Sequence, residues 1–178
     1  MGIPTLISTH TADGDSELDI TSGIDSTYDE YMFVCTDLGP ATDDAHFTFQ
    51  VNAASGSGFN ETITSSYFET YHNEGDTGTA LAYAPDFDQA QGTAYQVLPY
   101  NLGNGSDESA AGILHLFSPS STTYVKHFYA RFQTYQSGDY SIGTFIAGYI
   151  NTTAAIDEIS FKMSSGDMDG VIQMYGIA

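Results

Sequence analysis

Ala45-His46-Phe47-Thr48-Phe49-Gln50-Val51-Asn52 alternates apolar and polar residues. Phe47, Phe49 and Val51 fall on one side of an extended chain; His46, Thr48 and Gln50 fall on the other. Successive side chains of a β-strand point to opposite faces, so the stretch reads as a strand with one face toward a core. Two later stretches repeat the pattern. Between Thr123 and Tyr135, Phe128, Ala130 and Phe132 oppose His127, Tyr129 and Arg131. Between Ala155 and Met163, Ile159, Phe161 and Met163 oppose Glu158, Ser160 and Lys162.

Outward from these stretches, short apolar runs are separated by clusters of Gly, Ser, Asp, Asn and Pro. The spacing predicts further strands over 4–8, 18–21, 30–37, 63–71, 95–100, 112–118, 140–150 and 169–177, about ten in all with those above. Residues 72–91 read as a long irregular surface loop, and only 106–114 could hide a short turn of helix. Strands following one another without long helical crossovers predict antiparallel pairing. The expected architecture is therefore all-β: a single antiparallel β-sandwich domain over residues 1–178, jelly-roll-like.

Composition fits this reading. The chain has 178 residues, 41% hydrophobic, enough for one core. Tyr and Phe supply every aromatic ring, which favours pleated surface over helix. Three basic residues (Lys126, Arg131 and Lys162) face 23 acidic ones, for a net charge of -20. That balance excludes nucleic acid as a partner, since binding a phosphate backbone needs a basic footprint. It also opposes anionic membranes, and no apolar run approaches the roughly 20 residues of a membrane-spanning helix. Self-repulsion keeps such a chain soluble but strains its compact state, so a saline setting or bound cations would relieve it. The N-terminus shows no basic region followed by an apolar stretch, so no signal peptide is expected and synthesis is placed in a cytoplasm. Cys35, the sole cysteine, lies in the apolar run 31–35 and reads as a small core residue.

Asp13, Asp15, Glu17 and Asp19 alternate, so one strand would place all four on one face, where calcium is the ion that such oxygens suit. The spaced loop of an EF-hand is absent, and a solvated acidic face competes with the metal reading. Tyr67, Tyr71, Tyr83 and Tyr95 flank the irregular 72–91 region; Tyr83 and Tyr95 are the candidate sugar-stacking residues, with buried strand rings as the alternative. The five histidines, at 10, 46, 72, 115 and 127, show neither HxH nor HExxH spacing. No Gly-x-Ser-x-Gly elbow marks a nucleophile, and Gly103-Asn104-Gly105 lacks the lysine of a phosphate loop. No cofactor and no catalytic residue is expected. Finally, the apolar C-terminal run 171–177 is expected to be an exposed edge strand for assembly, through Val171, Gln173 and Tyr175.

Leu6-Ile7-Ser8-Thr9-His10-Thr11-Ala12 is followed by Ile24-Asp25-Ser26-Thr27-Tyr28-Asp29-Glu30-Tyr31 and Pro40-Ala41-Thr42-Asp43. The chain ends on Ile156-Asp157-Glu158-Ile159-Ser160-Phe161, Ser164-Ser165-Gly166 and Tyr175-Gly176-Ile177. This order resembles small virion structural proteins of tailed bacteriophages, marine ones especially, of the head-decoration or tail-fibre-like kind. The resemblance covers both ends and is thin between Gly56 and Gly112. It carries no active-site residues. It implies a non-enzymatic protein on the particle surface, a capsid decoration or a tail or fibre component. Its partners would be capsid or tail proteins and further copies of itself. The residues leave two alternatives open: a carbohydrate- or receptor-binding module at an adhesin tip, whose partner is a host surface glycan, and a glycan-active enzyme.

Overall fold

The fold is a computed structural model that describes residues 2–178. Thirteen strands run in order: β1 (Thr5–Asp15), β2 (Leu18–Ile20), β3 (Glu30–Pro40), β4 (Phe47–Ala53), β5 (Ile63–Asn73), β6 (Thr79–Tyr83), β7 (Ala90–Gly92), β8 (Gln96–Val97), β9 (Ala110–Phe117), β10 (Lys126–Gln136), β11 (Tyr140–Ile150), β12 (Ile156–Met163) and β13 (Met168–Ile177). Among the described residues there is no helix, including at 106–114, where a turn leads directly into β9.

The strands form a β-sandwich of two unequal antiparallel sheets. The large sheet has nine strands, ordered β1-β13-β3-β9-β10-β11-β5-β6, with β7 also pairing β5. The small sheet is β2-β12-β4-β8. The β9-β10-β11 meander is the regular centre of the large sheet. Its β10 and β11 pair without a register shift from Lys126↔Ile150 to Gln136↔Tyr140, as the unbroken alternation of both sequences allows.

The core lies where the small sheet covers that centre. Phe47 of β4 stacks on Phe161 of β12 at 5.6 Å and leans on Phe132 of β10 at 6.2 Å. Phe49 meets Phe128 edge-on at 5.1 Å, and Phe161 reaches Phe33 of β3 at 5.7 Å. Each fully buried ring of this kind contributes roughly 2–3 kcal/mol from area alone. Segment 84–102 extends this second layer beyond the small sheet, over β5. Phe87 stacks on Tyr100 at 4.7 Å and packs on Tyr67, whose hydroxyl donates to the Leu98 carbonyl at 2.5 Å.

Four sequence expectations are corrected. The decisive strand β4 is buried on both faces, not one. Segments around Glu61 and Thr93 lie over its polar side, and Gln50 donates its amide to the carbonyls of Glu61 (3.0 Å), Thr93 and Ala94 (3.1 Å). The expected loop 72–91 contains β6 and β7, which widen the large sheet beyond β5. Only Gln96–Val97 of the run 95–100 is strand; its remaining apolar residues, Leu98 and Tyr100, pack in the second layer instead. The fourth correction concerns β13. Val171, Gln173 and Tyr175 do not form a free edge: β1 pairs on one side, as Thr9↔Gln173, and β3 on the other, as Gln173↔Val34. A strand of apolar character in the sheet interior looks, in sequence, like an apolar edge strand, and only the pairing separates them.

Candidate functional site

The outer face of the large sheet, turned away from the core, carries the most distinctive surface. Register aligns one row of outward residues across the sheet: Thr9, Gln173, Val34, Ile113, Arg131, Phe145, Phe68 and Tyr83. The next row brings His115 opposite Tyr129, and Tyr129 opposite Ala147. Directly opposed residues of an antiparallel pair lie about 4.5–5.5 Å apart, so these side chains touch. Phe68 and Phe145 stack in parallel at 4.9 Å, and the Arg131 guanidinium lies over the Phe145 ring at 5.1 Å. His115 stacks on Tyr129 at 4.5 Å, and its Nδ1–H donates to the Glu30 carboxylate at 2.5 Å, which fixes the imidazole under the tyrosine. Phe68 and Tyr129 are both more than 40% exposed, as are Leu81 and Tyr83 on β6.

The central part of these rows, His115, Tyr129, Ile113, Arg131 and Phe145, lines an open groove of about 950 Å³ over β9, β10, β11, β5 and β6, with Phe68 beside it. None of the 23 acidic residues lines it. Its charge is Arg131, with His72 and His115 at the sides, each held by a carboxylate beyond the lining, Asp76 and Glu30 respectively. Among the described residues Arg131 has no ion pair and no side-chain hydrogen bond, so its five donors are free. Polar groups continue the groove in the two rows beyond Arg131: Gln133 and Thr70 in one, Ser141 and His72 in the other. Aromatic faces, free donors and a lining without carboxylates set this groove apart from the acidic remainder of the surface.

The sequence candidates lie elsewhere or apart. Asp13, Asp15, Glu17 and Asp19 do not share a face. Gly14 takes a φ of +72°, the register shifts between Asp13 and Asp15, and the chain then passes from the large sheet to the small one. Asp15 Oδ2 accepts from the Asp13 amide at 3.1 Å, and Asp169 Oδ1 accepts from the Gly14 amide at 2.7 Å. Among the described residues no group of three or more His, Cys, Asp or Glu could hold a metal ion. Tyr83 and Tyr95 do not come together. Tyr83 ends β6 in the large sheet, exposed, its hydroxyl donating to the Asp88 carboxylate, which raises the phenol's pKa. Tyr95 belongs to the small-sheet side, with its hydroxyl against Ser160 at 3.1 Å and the Lys162 ammonium over its ring at 4.0 Å; burial raises its pKa. Of the other two tyrosines, Tyr67 is buried and Tyr71 packs on Tyr140.

Phe68 and Phe145 were missed, and Tyr129 and Arg131 were seen only as outward strand residues. A signal existed. From Ser109 to Ile156 the chain has one acidic residue, Asp139, and two of its three basic ones. In so acidic a protein, a strand meander whose outward positions avoid carboxylates marks a face kept for something other than water.

No protein-family model matches the chain, and no curated protein matches it.

Proposed function

We propose that the chain is a non-enzymatic structural protein of a virus particle surface, a capsid decoration or a tail or fibre component, carried in repeated copies. The observation that carries this reading is the charge distribution: a strongly acidic sandwich with a groove on one wide face whose lining holds no carboxylate. Mutual repulsion spaces copies and keeps a crowded particle surface from coalescing, while that groove is free to bind. Capsid or tail proteins of the same particle are the partners on the attached side. Mass spectrometry of particles purified on a density gradient tests this. The chain is expected at a fixed ratio to the major shell or tail protein; its loss on purification would overturn the reading.

A second reading is favoured by the groove: a carbohydrate- or receptor-binding tip. Its volume falls within the range of concave ligand sites. The two readings are compatible when the outer face is turned outward from the particle. The contact residues then move from the Tyr83–Tyr95 pairing to Tyr129, Arg131, Phe145 and Phe68.

A further inference from the structure

We infer that the outer groove takes an acidic oligosaccharide, a chain of sugars bearing carboxylates, with Arg131 as its anion contact. This rests on the carbohydrate-binding reading and names its ligand class.

Three observations carry it. First, the groove is an acid-free zone on a protein of net charge -20. A neutral ligand would need no such clearing, since carboxylates accept hydrogen bonds from sugar hydroxyls readily. An anionic ligand would be expelled by any carboxylate left in the lining. Second, Arg131 is unpaired although 23 acidic side chains are available, and Phe145 beneath it holds the guanidinium plane in place. A planar, pre-oriented guanidinium with free donors is built to grip a carboxylate through two parallel hydrogen bonds. Third, the groove lining sets Tyr129 in the row on one side of that cation, its ring 46% exposed, and Gln133, Thr70 and Ser141 in the two rows on the other side, as hydrogen-bonding partners for sugar hydroxyls. Sugar rings have apolar faces that stack on aromatic surfaces and hydroxyl edges that take the polar groups.

The strand register sets the ligand's direction. Phe68, Phe145, Arg131 and Ile113 form a line across four strands, spaced about 4.7–4.9 Å per strand. The oligosaccharide runs across the strands along this line, with one carboxylate at Arg131.

Calorimetric titration decides the matter, at 0.15 M salt so that long-range repulsion is screened beyond about 8 Å. The probes are a uronic-acid hexasaccharide and the same hexasaccharide with its carboxyl groups reduced to alcohols. The full chain is expected to bind the uronate and to bind the reduced form at least about tenfold more weakly, the scale of one charge-assisted contact. Arg131→Gln should erase that preference and Arg131→Lys should restore part of it. Tyr129→Ala should weaken both probes, and Tyr124→Ala, exposed but outside the groove, should change neither. Equal binding of the two probes would overturn the acidic ligand and leave the carbohydrate reading standing. Binding of neither would overturn both and leave the face to a protein partner.

Discussion

Single residues carry chemistry that their sequence positions only partly disclosed. The reading of Cys35 as a core residue agrees with its complete burial, which pushes its thiol pKa far up. His46 was legible as an outward strand residue but not as a half-buried one. It packs between Phe87 at 5.4 Å and Tyr100 at 6.5 Å, and its Nδ1 accepts the Asn101 amide at 3.1 Å. That bond requires the neutral imidazole, and burial lowers its pKa. As pH falls below the ordinary value of about 6.5, the unfolded chain takes up a proton that the folded chain resists. The stabilisation from neutral His46 is thus present above that pH and is lost as pH falls toward the lowered folded value. Thermal unfolding between pH 7 and pH 5 should show wild type losing more stability than His46→Gln; parallel curves would contradict this. Lys126, one of the three basic residues, was unreadable as a buried group. It is wholly inside, its ammonium donating to the carbonyls of Tyr124 (3.0 Å) and Thr152 (3.3 Å), and burial lowers its pKa. Nothing local in sequence distinguishes such a lysine from a solvated one.

At the scale of elements, period-two alternation located β4, β10 and β12, and apolar runs between turn residues located the other long strands, β1 only over its first part, because both signals are local properties of the chain. Pairing is not local, and the errors gathered there: β13 was placed at an edge, and β6 was read as loop. The position of β13 between β1 and β3 changes what truncation should do. Removing Gln173–Ala178 should unfold or aggregate the domain, read as loss of the β signal in circular dichroism, since two neighbours lose their ladder. A folded, merely non-assembling truncation would restore the edge assignment. Two substitutions test the sandwich interface. Phe49→Ala should cost about 3–5 kcal/mol in chemical denaturation, as for large rings lost from cores. Gly112→Ala should cost about 1–3 kcal/mol, because a Cβ on β9 would sit 2.3 Å from Phe132 and 2.5 Å from the Arg131 carbonyl. Neutral results at either site would mean the two sheets pack differently from this description.

For the whole molecule, charge organises the account. The net charge of -20 was visible at once, and it set the expectation that neither nucleic acid nor an anionic membrane is a partner. Its distribution was also written in the chain, in the near absence of acids from 109 to 156, but gained meaning only when β5 and β11 brought Phe68 and Phe145 beside Arg131. Self-repulsion predicts that the unfolding temperature rises as sodium chloride increases from 0.01 M to 1 M, over which screening shortens from about 30 Å to about 3 Å. A flat response would mean the carboxylates are too dispersed to matter. The central claim is that this sandwich is displayed on a particle with the outer face of its large sheet as the working surface. Electron microscopy of intact particles at side-chain resolution tests that claim most directly. The account predicts the sandwich on the particle surface, with Tyr129, Arg131 and Phe68 turned outward and open. A chain missing from the particles, or seated with that face pressed against the shell, would contradict it.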